Sequence, residues 1–433
     1  MYLKSLRLEN IACFEELDLD FTDENGEPCK WVVLLGENGT GKSSLLWEGI
    51  AQTIGMTHWG LNTRNGKDEG RCTASALITA GDDLYSDKNY LSVTAYTKGG
   101  SNQWELLEGN KDIVKYINRE NKGFFCRGYG SNRRLTRGES KSDQFPSYLQ
   151  NFLSLAGWDD SLVSIHTWLP DLDYQKMKLA KILEGNSTEE IKNQYNRVEV
   201  EFDKIIAALN KILPEGVNFL NITSDKQIMF NDNGVNIPVN KLSDGYKTVI
   251  SWVGDLIYHL IKSFPGITDP LLASGIVMVD ELDLHLHPRW QRTIVQKIRN
   301  IFPNLQFIVT SHSPFIAQDM TEKDKIIVLT RDGDKVTARQ EKGFVKGWRA
   351  DQILTSWLFG LETTRDEEIE SLEKERRVGL QRDEENLLTD EERKDLDRVT
   401  NELEAMRSSD VAPDRQKLDA AAALVMELMG KTL

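Results

Sequence analysis

The chain has 433 residues, 39% of them hydrophobic and 28% charged, with a net charge of -15. That is ordinary soluble composition, enough for one large α/β domain with insertions or for two domains. No apolar run approaches the roughly 18–20 residues needed to span a bilayer, so no membrane crossing is expected. The acidic balance lowers the expectation of tight, autonomous binding to duplex DNA, which broad phosphate contact usually serves with a basic surface.

The first residues, MYLKSLRLEN, lack the apolar core of a signal peptide and read directly as a strand. A cytoplasmic protein is therefore expected. Leu3, Leu6, Leu8 and Ile11, then Leu17, Leu19 and Phe21, suit two strands of a half-buried sheet. WVVLLG follows as a buried strand, and a helix is expected from about Lys42 to Ile54. Residues 60–120 carry Gly, Asn, Asp and Thr with short strand-like pieces, which suggests an inserted β-subdomain. FFCRGYG, near 124–130, reads as another core strand.

A helical insert spans about 145–215. Ser187 and Glu190 are placed as a capping box, and a stripe from Ile191 to Ile212 follows, ended by Pro214. Strands then run over 216–240, with a hairpin turn at NDNG. KIIVLTRDGDKVTARQ reads as a second hairpin with DGD at its tip. After about 345 the chain becomes highly charged and helical. Thr389 and Glu392 form a capping box ahead of a seam of Leu396, Val399, Leu403 and Met406. Leu418 to Met429 make a second stripe. The cysteines at 13, 29, 72 and 126 are scattered without a CxxC pair, so plain thiols are expected.

GENGTGKS, Gly36 to Ser43, matches G-x-x-x-x-G-K-[ST] between an apolar strand and a helix. Glycines let the backbone N–H groups of Gly36, Glu37, Asn38, Gly39, Thr40 and Gly41 wrap phosphates. Lys42 adds a point charge, Ser43 ligates magnesium, and Ser44 continues the helix N-terminus. GIVMVDE is an apolar strand that delivers Asp280 to its carboxyl end, where it can hold magnesium through water. Glu281 can polarise the attacking water. LQFIVTSHSP is another such strand, with His312 placed to reach a γ-phosphate. His285 and His287 invite a metal reading, but no third ligand with suitable spacing is evident, so a structural or interface role is favoured. LSDGYKTVI puts Ser243, Asp244 and Gly245 ahead of a helix, as an anion site or an ordinary cap.

The order GENGTGKS, LSDGYKTVI, IVMVDE, TSHSP resembles the ABC-type ATPases, within them the SMC, RecF and OLD group, over most of residues 1–330. The resemblance implies an α/β P-loop head over 1–345, with the β insert at 60–120, the helical insert at 145–215 and a helical tail over 346–433 for assembly or partner binding. It makes Gly36 to Ser43 the Walker A loop and Asp280 and Glu281 Walker B. It makes Leu284 to His287 the D-loop and His312 the switch histidine. Ser243, Asp244 and Gly245 become the signature that binds the γ-phosphate of a partner chain's ATP. ATP and Mg2+ are the implied ligands, and a head-to-tail homodimer, or a higher oligomer, the implied assembly.

There are departures from the pattern. LSDGY stands where transporters have LSGGQ, and His287 stands where they usually carry Asp. Ala12 replaces a frequent basic residue. No Q-loop glutamine follows FFCRGYG; SNRRLTRG, with Arg133, Arg134 and Arg137 near Arg127, occupies that place. This cluster reads as the edge of the nucleotide site, a nucleic-acid path or a solvated loop.

The gap from Ser43 to Leu242 is under roughly 200 residues, too short for a long coiled-coil arm, and the tail is too short for a nuclease domain. The chain is most similar to stand-alone ATPases of bacterial anti-phage systems, the Septu ATPase PtuA first and the PARIS ATPase AriA second. That resemblance implies a switch controlling a separate effector, such as an HNH nuclease or a toxin, triggered by DNA or a phage protein. A RecF- or SMC-like DNA-repair ATPase is the alternative. A transporter subunit and a non-hydrolysing scaffold are further ones.

Overall fold

The computed structural model describes residues 1–54, 63, 64, 67, 69–77, 90–98, 101–108, 125–133, 150–158, 162–185, 188–265, 267–341, 345–364, 366–384 and 388–409. They fall into two units, Met1–Phe359 and Gly360–Leu433.

In the first unit β1 (Tyr2–Ile11) and β2 (Phe14–Asp20) form an antiparallel hairpin, as their alternation predicts. β3 (Trp31–Gly36) leads through the glycine-rich loop into α1. That helix comprises Lys42–Ser44, a π-helical stretch Leu45–Ala51, and Gln52–Ile54. β4 (Glu69–Leu77), β5 (Tyr90–Lys98) and β6 (Ser101–Glu108) follow. β4 pairs with β1, so these strands extend the N-terminal hairpin into one five-stranded antiparallel sheet, β2-β1-β4-β5-β6. Cross-strand register is long-range information, which a local pattern of strand and turn residues does not carry.

β7 (Phe125–Tyr129) precedes two long helices, α2 (Ile165–Gly185) and α3 (Glu189–Ile212). The α3 cap is Thr188, one residue beyond the expected Ser187; its side chain accepts from the Ile191 N–H. A small sheet of β8 (Val217–Ile222), β9 (Ile228–Asp232) and β10 (Val235–Pro238) follows, with its hairpin at Asn233 and Gly234. Then come α4 (Asp244–Ser263), β11 (Gly275–Val279), α5 (Pro288–Ile301), β12 (Leu305–Thr310) and α6 (Pro314–Gln318). The hairpin β13 (Lys325–Asp332) and β14 (Lys335–Glu341) and the short α7 (Ala350–Leu354) complete the unit.

The central sheet has the order β14-β13-β3-β12-β11-β7, parallel except for the β14 edge. Its inner strands are buried on both faces, which is why WVVLLG, GIVMV and LQFIVT read as continuous apolar runs. Period-two alternation then divides β3 between two cores. Trp31, Val33 and Leu35 join the helices α4 and α5, while Val32 and Leu34 join β1 and α1. Gln306 fastens these layers. Its amide accepts from the Leu3 N–H at 2.6 Å and donates to the carbonyls of Leu3 and Cys29.

Arg127, on β7 close to the arginine-rich segment, is a core residue. Its guanidinium donates to the Asp255 carboxylate at 2.6 Å, which also accepts from the Tyr129 hydroxyl and the Val163 N–H. Burial opposes the charge on Asp255, but Arg127 and His259 overcome it and hold the carboxyl below its ordinary range. Because the folded pKa is depressed, this stabilisation is present above the unfolded carboxylate pKa and is lost as pH falls through the folded one. Arg127→Leu strands the carboxylate and is expected to cost about 3–5 kcal/mol, read as a lower midpoint in urea unfolding at neutral pH. A midpoint unchanged from wild type would show that the pair contributes nothing.

In the second unit α8 (Glu367–Glu384) and α9 (Asp390–Ser409) pack together. Thr389 and Glu392 make the expected reciprocal capping bonds, and Val399 and Leu403 are buried. The stripe from Leu418 to Met429 lies outside the described residues.

Candidate nucleotide site

β3, β11, β12 and β7 all run in one direction, so their carboxyl ends gather at one edge of the sheet. Open α/β sheets bind ligands there. The Gly36–Ser43 loop leaves β3 with Glu37, Asn38 and Gly39 exposed. Gly41 has φ 87, and a Cβ there would meet the Cys13 sulfur at 2.4 Å, so only glycine fits. Lys42 is buried, and its ammonium donates to the carbonyls of Gly36 and Glu37, both at 2.8 Å. Burial lowers its pKa against the attraction of Asp280 and Glu281. Phosphate oxygens offer this ammonium better acceptors than two loop carbonyls. The Thr40 hydroxyl donates to the Glu37 carbonyl and braces the loop. Ser44 lies in the first turn of α1.

Asp280 sits just past β11 and is 6% exposed. Its carboxylate accepts from the Ser43 hydroxyl at 2.7 Å and from the Thr310 hydroxyl at 2.6 Å. Ser43 and Asp280 thus bring two hard oxygen donors together, a set that suits Mg2+. The Glu281 N–H donates in turn to the Thr310 hydroxyl at 2.7 Å. Glu281 has φ 49, a left-handed backbone that costs a non-glycine residue about 1–3 kcal/mol and persists where the surroundings enforce it. The enforcing contacts are Thr310 on its N–H and Arg133 on its carbonyl, at 2.7 Å. His312 is exposed at the end of β12, and its N–H faces the Asp283 carboxylate at 3.4 Å.

Thr310 was not among the expected site residues. The available signal was its position, last on the strand that delivers His312. Thr310→Val keeps the shape but removes the hydroxyl from both acidic residues. Phosphate release is expected to fall about tenfold, with the melting temperature within a few degrees of wild type. Unchanged release by the valine variant would remove Thr310 from the site.

The segment 243–245 starts the 20-residue helix α4. Ser243 does cap the helix, accepting from the Tyr246 N–H, and it is also exposed. Asp244 pairs with Lys247 at 2.7 Å. Among the described residues no hydrogen bond or ion pair links Ser243 or Asp244 to the phosphate loop of the same chain. Gly245 packs against the turn after Glu281: a Cβ there would meet the His285 carbonyl oxygen at 2.4 Å. His287 has a structural task, its Nδ1 accepting from the Arg289 N–H as the cap of α5.

The arginine cluster separates. Arg127 lies in the core pair, Arg133 lies under Glu281, and Arg134 and Arg137 lie outside the described residues.

Fold, phosphate loop, acidic strand end and strand-end histidine together make an α/β P-loop ATPase fold, and the chain resembles the stand-alone ATPases of the SMC, RecF and OLD-like group. Two family matches agree: "AAA domain, putative AbiEii toxin, Type IV TA system" over residues 130–317, and "AAA domain" over 5–215. The chain is similar to the Septu protein PtuA of Bacillus mycoides, 27% identical over 369 residues, covering 84% of this chain and 45% of that one. It is similar to the Septu protein PtuA of Bacillus thuringiensis, 27% identical over 375 residues, covering 84% of this chain and 86% of that one. It is also similar to the retron Vc95 probable ATPase of Vibrio cholerae, 32% identical over 228 residues, covering 50% and 44%. The match thus spans less than half of the Bacillus mycoides and Vibrio proteins' own length. Among solved structures, an Smc head bound to the C-winged helix domain of ScpA has a TM-score of 0.49 at 12% identity, covering 79% of this chain and 98% of that one. Among the described residues no helix is long and apolar enough to cross a membrane.

Proposed function

We propose that this chain is a slow, regulatory ATPase of a bacterial anti-phage system, and that ATP-dependent closure of two heads controls a separate effector. The observation that carries the ATPase part is the hydrogen-bonded chain Ser43–Asp280–Thr310–Glu281, which sets a pair of oxygen donors suited to magnesium beside the backbone of Glu281. Magnesium held by Ser43 and Asp280 would offset the charge on the phosphates. Lys42 would turn from its loop carbonyls to the β- and γ-phosphates. Glu281 would accept the proton of the attacking water, and His312 would face the γ-phosphate.

Dimerisation is supported by the exposed, small-residue helix start at Ser243, which makes no described contact with its own phosphate loop. A second copy placed head-to-tail would use it to complete each site. The similarity to Septu and retron ATPases supports the defence part of the reading. The effector class, an HNH-type nuclease or a toxin, and the trigger, DNA or a phage protein, belong to the same proposal. A ligand need only prefer the closed or the open state to move the switch.

The test is a pull-down of tagged Glu281→Gln from its native host with ATP, read by mass spectrometry. Recovery of a nuclease or toxin-like protein is expected, and in the same host Lys42→Ala should lose phage protection while remaining folded. Recovery of replication or recombination proteins, or of DNA alone, would move the assignment to DNA repair.

A further inference from the structure

Arg133 lies four residues past the end of β7 and is 2% exposed. Its Nη2 donates to the Glu281 carbonyl at 2.7 Å. Its Nε and Nη1 are buried, and among the described residues no acceptor reaches either of them. Burial lowers its pKa to about 10, against the pull of the carboxylates of Asp280, Glu281 and Asp283. A guanidinium is a planar fork whose donors point in fixed directions. Here one arm is used on the backbone of the water-polarising residue and the others are idle. Idle buried donors of a cation are costly, and each such group in a folded protein calls for an explanation. An anionic oxygen arriving beside Glu281 would match these donors.

We infer that Arg133 donates to the γ-phosphate of ATP bound to the same chain, and so ties the presence of the third phosphate to the backbone position of Glu281. This rests on the ATPase reading above. It goes beyond that reading by adding a group from a separate element, the segment after β7, to the residues that meet the nucleotide. Arg133 senses the difference between ATP and ADP, since ADP leaves its free donors unused. The positive φ of Glu281 suits such a device, because that backbone is held by contacts on either side of the residue and Arg133 supplies one of them.

Equilibrium binding of fluorescently labelled AMP-PNP and ADP, with Mg2+, tests the assignment without relying on turnover. Wild type is expected to bind AMP-PNP more tightly than ADP. Arg133→Gln keeps an N–H for the Glu281 carbonyl but removes the charge. Its preference for AMP-PNP over ADP should fall about 10- to 100-fold, the weight of a charge-assisted hydrogen bond, with ADP affinity within about twofold of wild type. A purely structural arginine would weaken both nucleotides alike, and an unchanged ratio in folded Arg133→Gln overturns the inference. Should that variant fail to fold, Arg133→Lys decides. A reduced preference supports the forked contact, and a wild-type ratio overturns it. If wild type binds neither nucleotide, the ATPase reading fails and the role of Arg133 fails with it, a result distinct from normal binding with an unchanged ratio.

Discussion

Glu281→Gln is expected to lower ATP turnover by about 10²- to 10⁴-fold while leaving ATP binding intact, the range set by removing a positioned general base. The substitution is nearly isosteric. The contacts that hold residue 281 in its left-handed conformation are made by its N–H to Thr310 and its carbonyl to Arg133, and neither uses the side chain. The loop should therefore keep its shape, and Ser43 and Asp280 should keep their places. What changes is the group proposed to take the proton from water. Single-turnover release of phosphate, set beside equilibrium ATP binding, measures both halves. Light scattering should also show an ATP-dependent dimer that lasts longer than that of wild type. Turnover within a few fold of wild type would remove Glu281 from its assigned role.

Lys42→Ala should act at the earlier step. The ammonium is buried between the carbonyls of Gly36 and Glu37, and among the described residues the other cation bonded to that loop is Arg331, at the Gly39 carbonyl. Nucleotide binding is expected to be lost, with little change in melting temperature in the absence of ATP. Removing a partly desolvated charge relieves its own burial cost as it removes its bonds. Retained ATP affinity in this variant would place the phosphates elsewhere.

The parts of the site that could be read from the chain are those in which a short segment carries both element and chemistry. Val32 to Gly36 run into a glycine-rich turn and a helix. Ile276 to Val279 run into two acids. In each case the apolar run fixes a strand buried on both faces, and the polar residues must then emerge at its end. Thr389 and Glu392 were legible for the same reason, since a capping box is complete within four residues. Thr310 and Arg133 were not. Their meaning lies in bonds to Asp280 and Glu281, which are 30 and 148 positions away in the chain. Nothing local separates a buried arginine such as Arg133 from its neighbours in SNRR. Arg127 shows the opposite case: an arginine close to that basic segment serves as a core partner of Asp255 and lies outside the chemistry. The pairing of β4 with β1 was hidden in the same way, because composition over residues 60–120 announces strands without naming their partners.

Two inactive variants should restore activity to each other if each site is shared between two copies. Ser243→Arg places a long side chain at the start of α4, on a residue that is exposed and whose removal costs its own helix only a cap, about 1 kcal/mol. It should fold, bind ATP through its own phosphate loop, and fail to turn it over. Lys42→Ala should fail for the other reason. In a mixed dimer one site pairs the altered Lys42 position of one copy with the altered Ser243 position of the other, and is dead twice over. The second site pairs the intact Lys42 with the intact Ser243. With random exchange about half of the dimers are mixed and each has one of two sites working, so phosphate release should return to about a quarter of the wild-type rate. The pattern is specific to a head-to-tail arrangement. If Ser243 served only its own chain, mixing would leave both populations inactive. If Ser243 were merely a helix cap, Ser243→Arg alone would hydrolyse ATP at nearly the normal rate and the mixture would show only its dilution.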